Sequence, residues 1–164
     1  MRYVLKERIF SLRDSYYIRD EDGNTQFEVT GRLISLRDSL TLRDRHGATL
    51  ATITQRRLAL RPVYTIRCKG QPDAVIKRDF INIVREGFAV NMEGDVPDLR
   101  IQGNILDHEY TIKREGDTVA QASKKWISLR DSYVVDVQDE ADTVLVLTCA
   151  IVVDRVSHED EDED

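Results

Sequence analysis

The sequence has little of what would fix its architecture covalently or mark it as an enzyme. Two cysteines, three prolines and one tryptophan occur in 164 residues. Cys68 and Cys149 stand alone, neither in a C-x-x-C pair, which excludes a disulfide framework and fits a reducing compartment. Pro- or Gly-rich linkers are absent, so the chain reads as one domain with one core. The opening MRYVLKERIF has no apolar signal region, and a cytoplasmic location, with a peripheral membrane association left open, is expected. Only one long apolar run exists, Val144 to Val153, VLVLTCAIVV. A membrane span needs about 20 apolar residues, so no transmembrane segment is expected. There is no G-x-S-x-G elbow, P-loop, G-x-G-x-x-G or H-E-x-x-H. His46, His108 and His158 lie far apart with no ligand spacing. They read as ordinary surface histidines, and no catalytic residue, metal or cofactor is expected.

What is present is charge, unevenly placed. The formal net charge is −6, with 33% of residues charged. Residues 1–90 carry 17 Lys and Arg against 11 Asp and Glu, a net of +6, and residues 91–164 carry 7 against 19, a net of −12. Six of those acids form the block Glu159–Asp164, which reads as a solvated, disordered tail over 158–164. The alternative is a tail that docks on a basic face of its own domain or of a partner.

A repeat organises the rest. Ser11-Leu-Arg-Asp-Ser-Tyr-Tyr-Ile, Ser35-Leu-Arg-Asp-Ser-Leu-Thr-Leu and Ser128-Leu-Arg-Asp-Ser-Tyr-Val-Val are near copies, each leading to a turn twelve residues on. Turn residues at 23, 47, 70, 94, 116 and about 140 lie 22 to 24 residues apart, the length of two strands with their connections. Short alternating runs such as Tyr16-Ile18, Leu40-Leu42 and Tyr64-Ile66 fit strands with one face buried. Six hairpin modules make about twelve strands, and closing them into an antiparallel barrel removes both exposed edges. Eight strands already fill with side chains; twelve leave room for a helix about 10–12 Å across.

The apolar run supplies that helix. Its Val, Ile and Thr content favours a strand, but its surroundings favour a helix: Asp139, Glu140 and Asp142 precede it where caps and negative charge belong, and Arg155 with His158 follows where cations belong. A buried central helix at about 141–156 is predicted, with the barrel domain spanning 1–157. The competing architecture is a two-sheet sandwich with this run as its central strand.

For binding, Arg56, Arg57, Arg61, Lys77 and Arg78 are candidates to converge on one phosphate-sized anion from neighbouring strands. Lys113, Arg114, Lys124 and Lys125 form a second basic candidate. A nucleic-acid partner is not expected, because the overall balance is acidic and no aromatic is interleaved with the basic run.

The stretch Gly103-Asn104-Ile105-Leu106-Asp107-His108-Glu109-Tyr110, continuing through Val119-Ala-Gln-Ala-Ser-Lys-Lys-Trp126 and Ser128-Leu-Arg-Asp-Ser-Tyr-Val-Val-Asp-Val, resembles the LURP-one-related family. That family belongs to the tubby C-terminal-like superfamily, with the phospholipid scramblases. The resemblance runs from Tyr3 to about Val156 and implies a closed twelve-stranded barrel threaded by a C-terminal helix. It implies a non-enzymatic binding module for anionic lipid headgroups or another phosphorylated ligand. The alternative function is a protein-interaction scaffold or homo-oligomeric barrel. Scramblase-like activity is put in doubt: nothing here aligns with a calcium segment, and a separate membrane helix and a palmitoylation cluster are both missing.

Overall fold

In the computed structural model of the chain, the structure describes residues 1–7, 15–34, 37–56, 63–82 and 85–163, and for 32–34, 37–38, 79–82, 85–86 and 159–163 the backbone alone. The strands are β1 (Arg2–Lys6), β2 (Tyr16–Asp20), β3 (Thr25–Ile34), β4 (Arg37–Asp44), β5 (Thr49–Arg56), β6 (Val63–Cys68), β7 (Ala74–Asn82), β8 (Arg85–Met92), β9 (Leu99–Asn104), β10 (Glu109–Arg114), β11 (Asp117–Ser123) and β12 (Ser132–Val137), followed by helix α1 (Thr143–Glu163). Every strand pairs with its sequence neighbours, and β1 pairs with β12 to close the barrel. The closing ladder is antiparallel, with Arg2 opposite Asp136 and Lys6 opposite Ser132. Closure satisfies both edges that an open sheet would leave to solvent.

Alternation decides which side chains face inward. Leu5, Ile18, Ile66, Ile76, Val90, Ile101, Ile112 and Val135 are fully buried, and each has a charged or polar neighbour on the outer face: Lys6, Arg19, Arg67, Lys77, Asn91, Gln102, Lys113 and Asp136. The predicted turns fall into place: Gly23, Gly47, Gly70, Gly94 and Gly116 all have positive φ, between 73° and 90°. At these positions a glycine reverses the chain without the clash that a Cβ would cause. Asp20 and Asp44 brace two of these turns, each accepting a backbone N–H four residues on, from Asn24 at 2.8 Å and Ala48 at 2.9 Å.

α1 fills the lumen. Leu147, Thr148, Cys149, Ala150, Ile151, Val152, Val153 and Asp154 are all fully buried, so the run has no outward face and the sandwich alternative is excluded. Polar groups inside are met locally: Thr148 Oγ1 donates to the Leu145 carbonyl at 2.7 Å and Ser157 Oγ to that of Asp154 at 2.8 Å, the back-bonding that lets such residues sit in a helix. The helix starts after a 3-10 turn, Glu140–Asp142, whose N-cap Asp139 accepts from Ala141 N. Arg114, at the end of β10, grips that turn with two bonds to Asp142 of 3.0 and 2.8 Å. This marks the lower end of the barrel, where the helix enters.

The helix extends further than the composition suggested. It runs through Glu163, beyond the boundary expected near 156, and takes in most of the block expected to be a disordered tail. Once nucleated in the lumen, each added residue costs little, and Glu is a good helix former. Its 21 residues make a rod about 32 Å long, so its last turns reach the upper end, where β1, β9 and β11 end. Both cysteines are free and buried, and burial pushes the Cys68 thiol up to about 11. No helix among the described residues is long and apolar enough to cross a membrane.

Candidate functional site

The upper mouth holds a buried polar cluster built by two elements. The first is the connection from β9 to β10. Gly103 adopts φ +144°, and a Cβ there would overlap the Glu109 carbonyl oxygen and lie 2.7 Å from Tyr110 Cα. Only glycine lets the two strands approach this closely. Asn104 then braces the turn through Asp107, Nδ2 to Oδ2 at 2.6 Å, and Ile105 plugs it from below, buried. His108 N donates to the Ile105 carbonyl at 3.1 Å. His108 itself sits at φ +53°, a left-handed conformation uncommon for a side-chain-bearing residue. The result is that its imidazole turns into the barrel and is 1% exposed.

The second element is the exit of α1. Asp154, fully buried on the helix, places Oδ1 3.0 Å from His108 Nε2. His158, one turn further on, places its own Nε2 3.3 Å from the same oxygen. A buried carboxylate is stable only when paired, and two imidazoles supply the pairing. The His108 ring packs on Tyr133 with centroids 4.3 Å apart, and on His158 at 6.2 Å. Tyr110 and Tyr133 complete the floor. Burial, followed by nearby charge that includes Asp154, raises both phenols well above their ordinary value. The Tyr110 hydroxyl and His108 Nδ1 are buried without a hydrogen-bond partner among the described residues. Two imidazole nitrogens and one carboxylate oxygen therefore meet in a nearly dry pocket, a donor set suited to protons or to a divalent ion.

The three histidines thus do not share the surface position expected of them. His46 is exposed, His108 is buried and His158 is partly buried. His108 and His158, fifty positions apart in the chain, are neighbours in space. The signal open to a reader of the sequence was Asp154 and His158 at i and i+4, one face of a helix. Nothing in the spacing placed His108 beside them.

The basic candidates are dispersed. Arg57 and Arg61 lie outside the described residues. Arg56 pairs with Val63 and Val63 with Lys77 across β5, β6 and β7, so Arg56 and Lys77 share one row on the outer wall, about 10 Å apart at the backbone. Both are exposed. Arg78 follows Lys77 on the strand and takes the inward parity, opposite buried Phe88. Adjacent strand residues face opposite sides, so Lys77 and Arg78 do not converge. The second group splits between the two ends: Lys113 and Arg114 end β10 at the lower rim, while Lys124 and Lys125 follow β11 at the upper. Arg114 is committed to Asp142, which raises its pKa mainly through that hydrogen bond. Lys124 Nζ is 2.6 Å from Glu7. Lys113 instead lines an open groove of about 490 Å³ on the outer wall with Ala89, Asn91, Arg100 and Gln102.

Comparison with known proteins agrees with the geometry. An uncharacterized protein of Bacillus subtilis (strain 168), YxjI, is 31% identical over 162 residues, covering 97% of this chain and 95% of that protein. The X-ray structure of an Arabidopsis thaliana protein, AT5G01750, superposes with a TM-score of 0.66 over 94% of this chain and 91% of its own, at 18% identity, which speaks to the fold alone. The LURP-one-related family model matches residues 1–154. On that match, and on a twelve-stranded barrel closed around a single C-terminal helix, the chain belongs to the LURP-one-related family.

Proposed function

We propose that this chain is a non-enzymatic binding module that recognises an anionic group, a phospholipid headgroup or another phosphorylated ligand, on the outer wall formed by β4 to β7. The observation that carries this reading is the way the topology uses charge. Because each strand lies beside its sequence neighbours, the basic charge that β4 to β7 and their turns carry among the described residues lies on one continuous arc of wall. An alternating-sheet topology would have scattered it. On that arc Arg43, Arg56, Arg67, Lys69 and Lys77 are exposed. Arg67 is paired with Asp73 at 3.4 Å. Arg56 and Lys77 have no ion pair among the described residues, and two long side chains in one row can reach a single phosphate from both sides.

Co-sedimentation with phosphatidylcholine vesicles, with and without a phosphoinositide, tests this. Binding is expected only with the anionic lipid and should weaken as salt rises. A basic residue near an anionic surface is worth about 1 kcal/mol, so the Arg56→Gln/Lys77→Gln variant should partition roughly 30-fold less well. Competition by inorganic phosphate would assign the site to a soluble phosphorylated ligand. Binding indifferent to lipid charge and to phosphate would remove the proposal in favour of a protein-interaction scaffold.

A further inference from the structure

We propose that His108, Asp154 and His158 hold one divalent transition-metal ion of the zinc class at the upper mouth of the barrel. One ligand atom from each of the three residues lies within 4.8 Å of the others. The two nitrogen-to-oxygen separations, 3.0 and 3.3 Å, approach the spacing of about 3.3 Å between ligands of a tetrahedral ion with bonds of about 2.0–2.1 Å. Two imidazoles and a carboxylate select a borderline transition metal. Calcium and magnesium ask for six or more oxygens, which this pocket does not offer.

Three further observations point the same way. The Tyr110 hydroxyl is buried without a partner among the described residues, and buried polar atoms are rarely left so. An ion brings a solvent ligand in its fourth position that offers the Tyr110 hydroxyl a partner. The field is also favourable: the pocket lies toward the negative end of the α1 dipole, no basic residue sits in the last turn, and the chain continues as Glu159-Asp-Glu-Asp-Glu. Negative charge at a helix C-terminus is unfavourable unless a cation offsets it. Finally, the pocket has a door. His158 is 18% exposed while the other two ligands are sealed. The family match ends at Asp154, so one of the three ligands lies beyond it, and the site is proposed for this chain on its own residues. It is independent of the outer-wall proposal.

The test uses the full chain, stripped with a chelator and dialysed, then titrated with Zn2+ against a chromophoric competitor and separately with Co2+. One ion per chain with sub-micromolar affinity is expected, with the visible absorption of four-coordinate cobalt and a rise in Tm on adding zinc. His158 is partly exposed, so His158→Gln should fold, bind about 100-fold less tightly or worse, and lose the thermal shift, since losing even a residue that only hydrogen-bonds a metal ligand costs about 10–100-fold. A variant with Glu159, Asp160, Glu161 and Asp162 neutralised should keep the stoichiometry. Failure of the unaltered chain to bind, equal binding by His158→Gln, loss of binding with the neutralised block, or displacement of zinc by equimolar calcium would each overturn the proposal.

Discussion

At Gly103 the absence of a side chain determines where another side chain goes. Its φ of +144° and the backbone of Glu109 and Tyr110 pressed against it leave no room for a methyl group. Gly103→Ala should therefore lower stability by about 1–3 kcal/mol in urea unfolding, through strain and displaced strand backbone. The shift of the His108 ring resonances should report that the turn has moved. Gly47, at φ +86° with open space around its missing Cβ, serves as the control: Gly47→Ala should cost less and leave those resonances in place. At this scale the sequence was least informative. Whether a lone histidine is buried depends on where the turn carrying it lands, and no local pattern around His108 encodes that. Arg114 misled for the complementary reason, since a base beside a turn looks free until Asp142 arrives from 28 positions away to accept two of its hydrogen bonds.

Among elements, the hairpins were the most legible, because their turns are fixed by chemistry that acts within four residues. Glycines 23, 47, 70, 94 and 116 mark reversals that the repeat length had already spaced. The carboxylates that brace two of them carry a pH signature. Asp20 and Asp44 are both held below the ordinary carboxylate range, chiefly by the backbone amides of Asn24 and Ala48. A carboxyl with a depressed folded pKa contributes stability above the ordinary value of about 3.9 and loses it as pH falls through the folded value. Urea midpoints measured from pH 6 downward should thus fall more steeply below about pH 4 for the unaltered chain than for Asp20→Asn/Asp44→Asn. Equal slopes would show that the turns do not sense acid. The α1 boundary was misplaced at its C-terminal end because acids there oppose the dipole, and only the nucleus supplied by the lumen carries the helix through them. Lys77 and Arg78 were grouped by sequence adjacency, which the two-residue period of a strand turns into opposition.

For the whole molecule, wall order equals chain order, and that identity is why a count of turns could lead to a closed barrel. The helix was legible for a different reason: a ten-residue run with no polar side, Val144 to Val153, has to be surrounded, and twelve strands are enough to do so. What the count could not contain was which loops and which helical turn would share one mouth of the cylinder. The dependence of wall on rod is directly measurable. A chain ending at Asp139 keeps every strand and loses the whole of α1, exposing the inner faces of Leu5, Ile66, Ile101 and Ile112 to water. It should lose its near-ultraviolet circular dichroism and its cooperative unfolding transition, and a native-like melt would show that the strands close unaided. There is a corollary for biosynthesis. The interior is delivered last, when α1 clears the ribosomal tunnel after all twelve strands have already emerged. Until that moment the nascent polypeptide is a greasy, unsealed ribbon, so the cell must shelter it while the whole wall is made, and a stop codon between β12 and α1 is as damaging as one within β1.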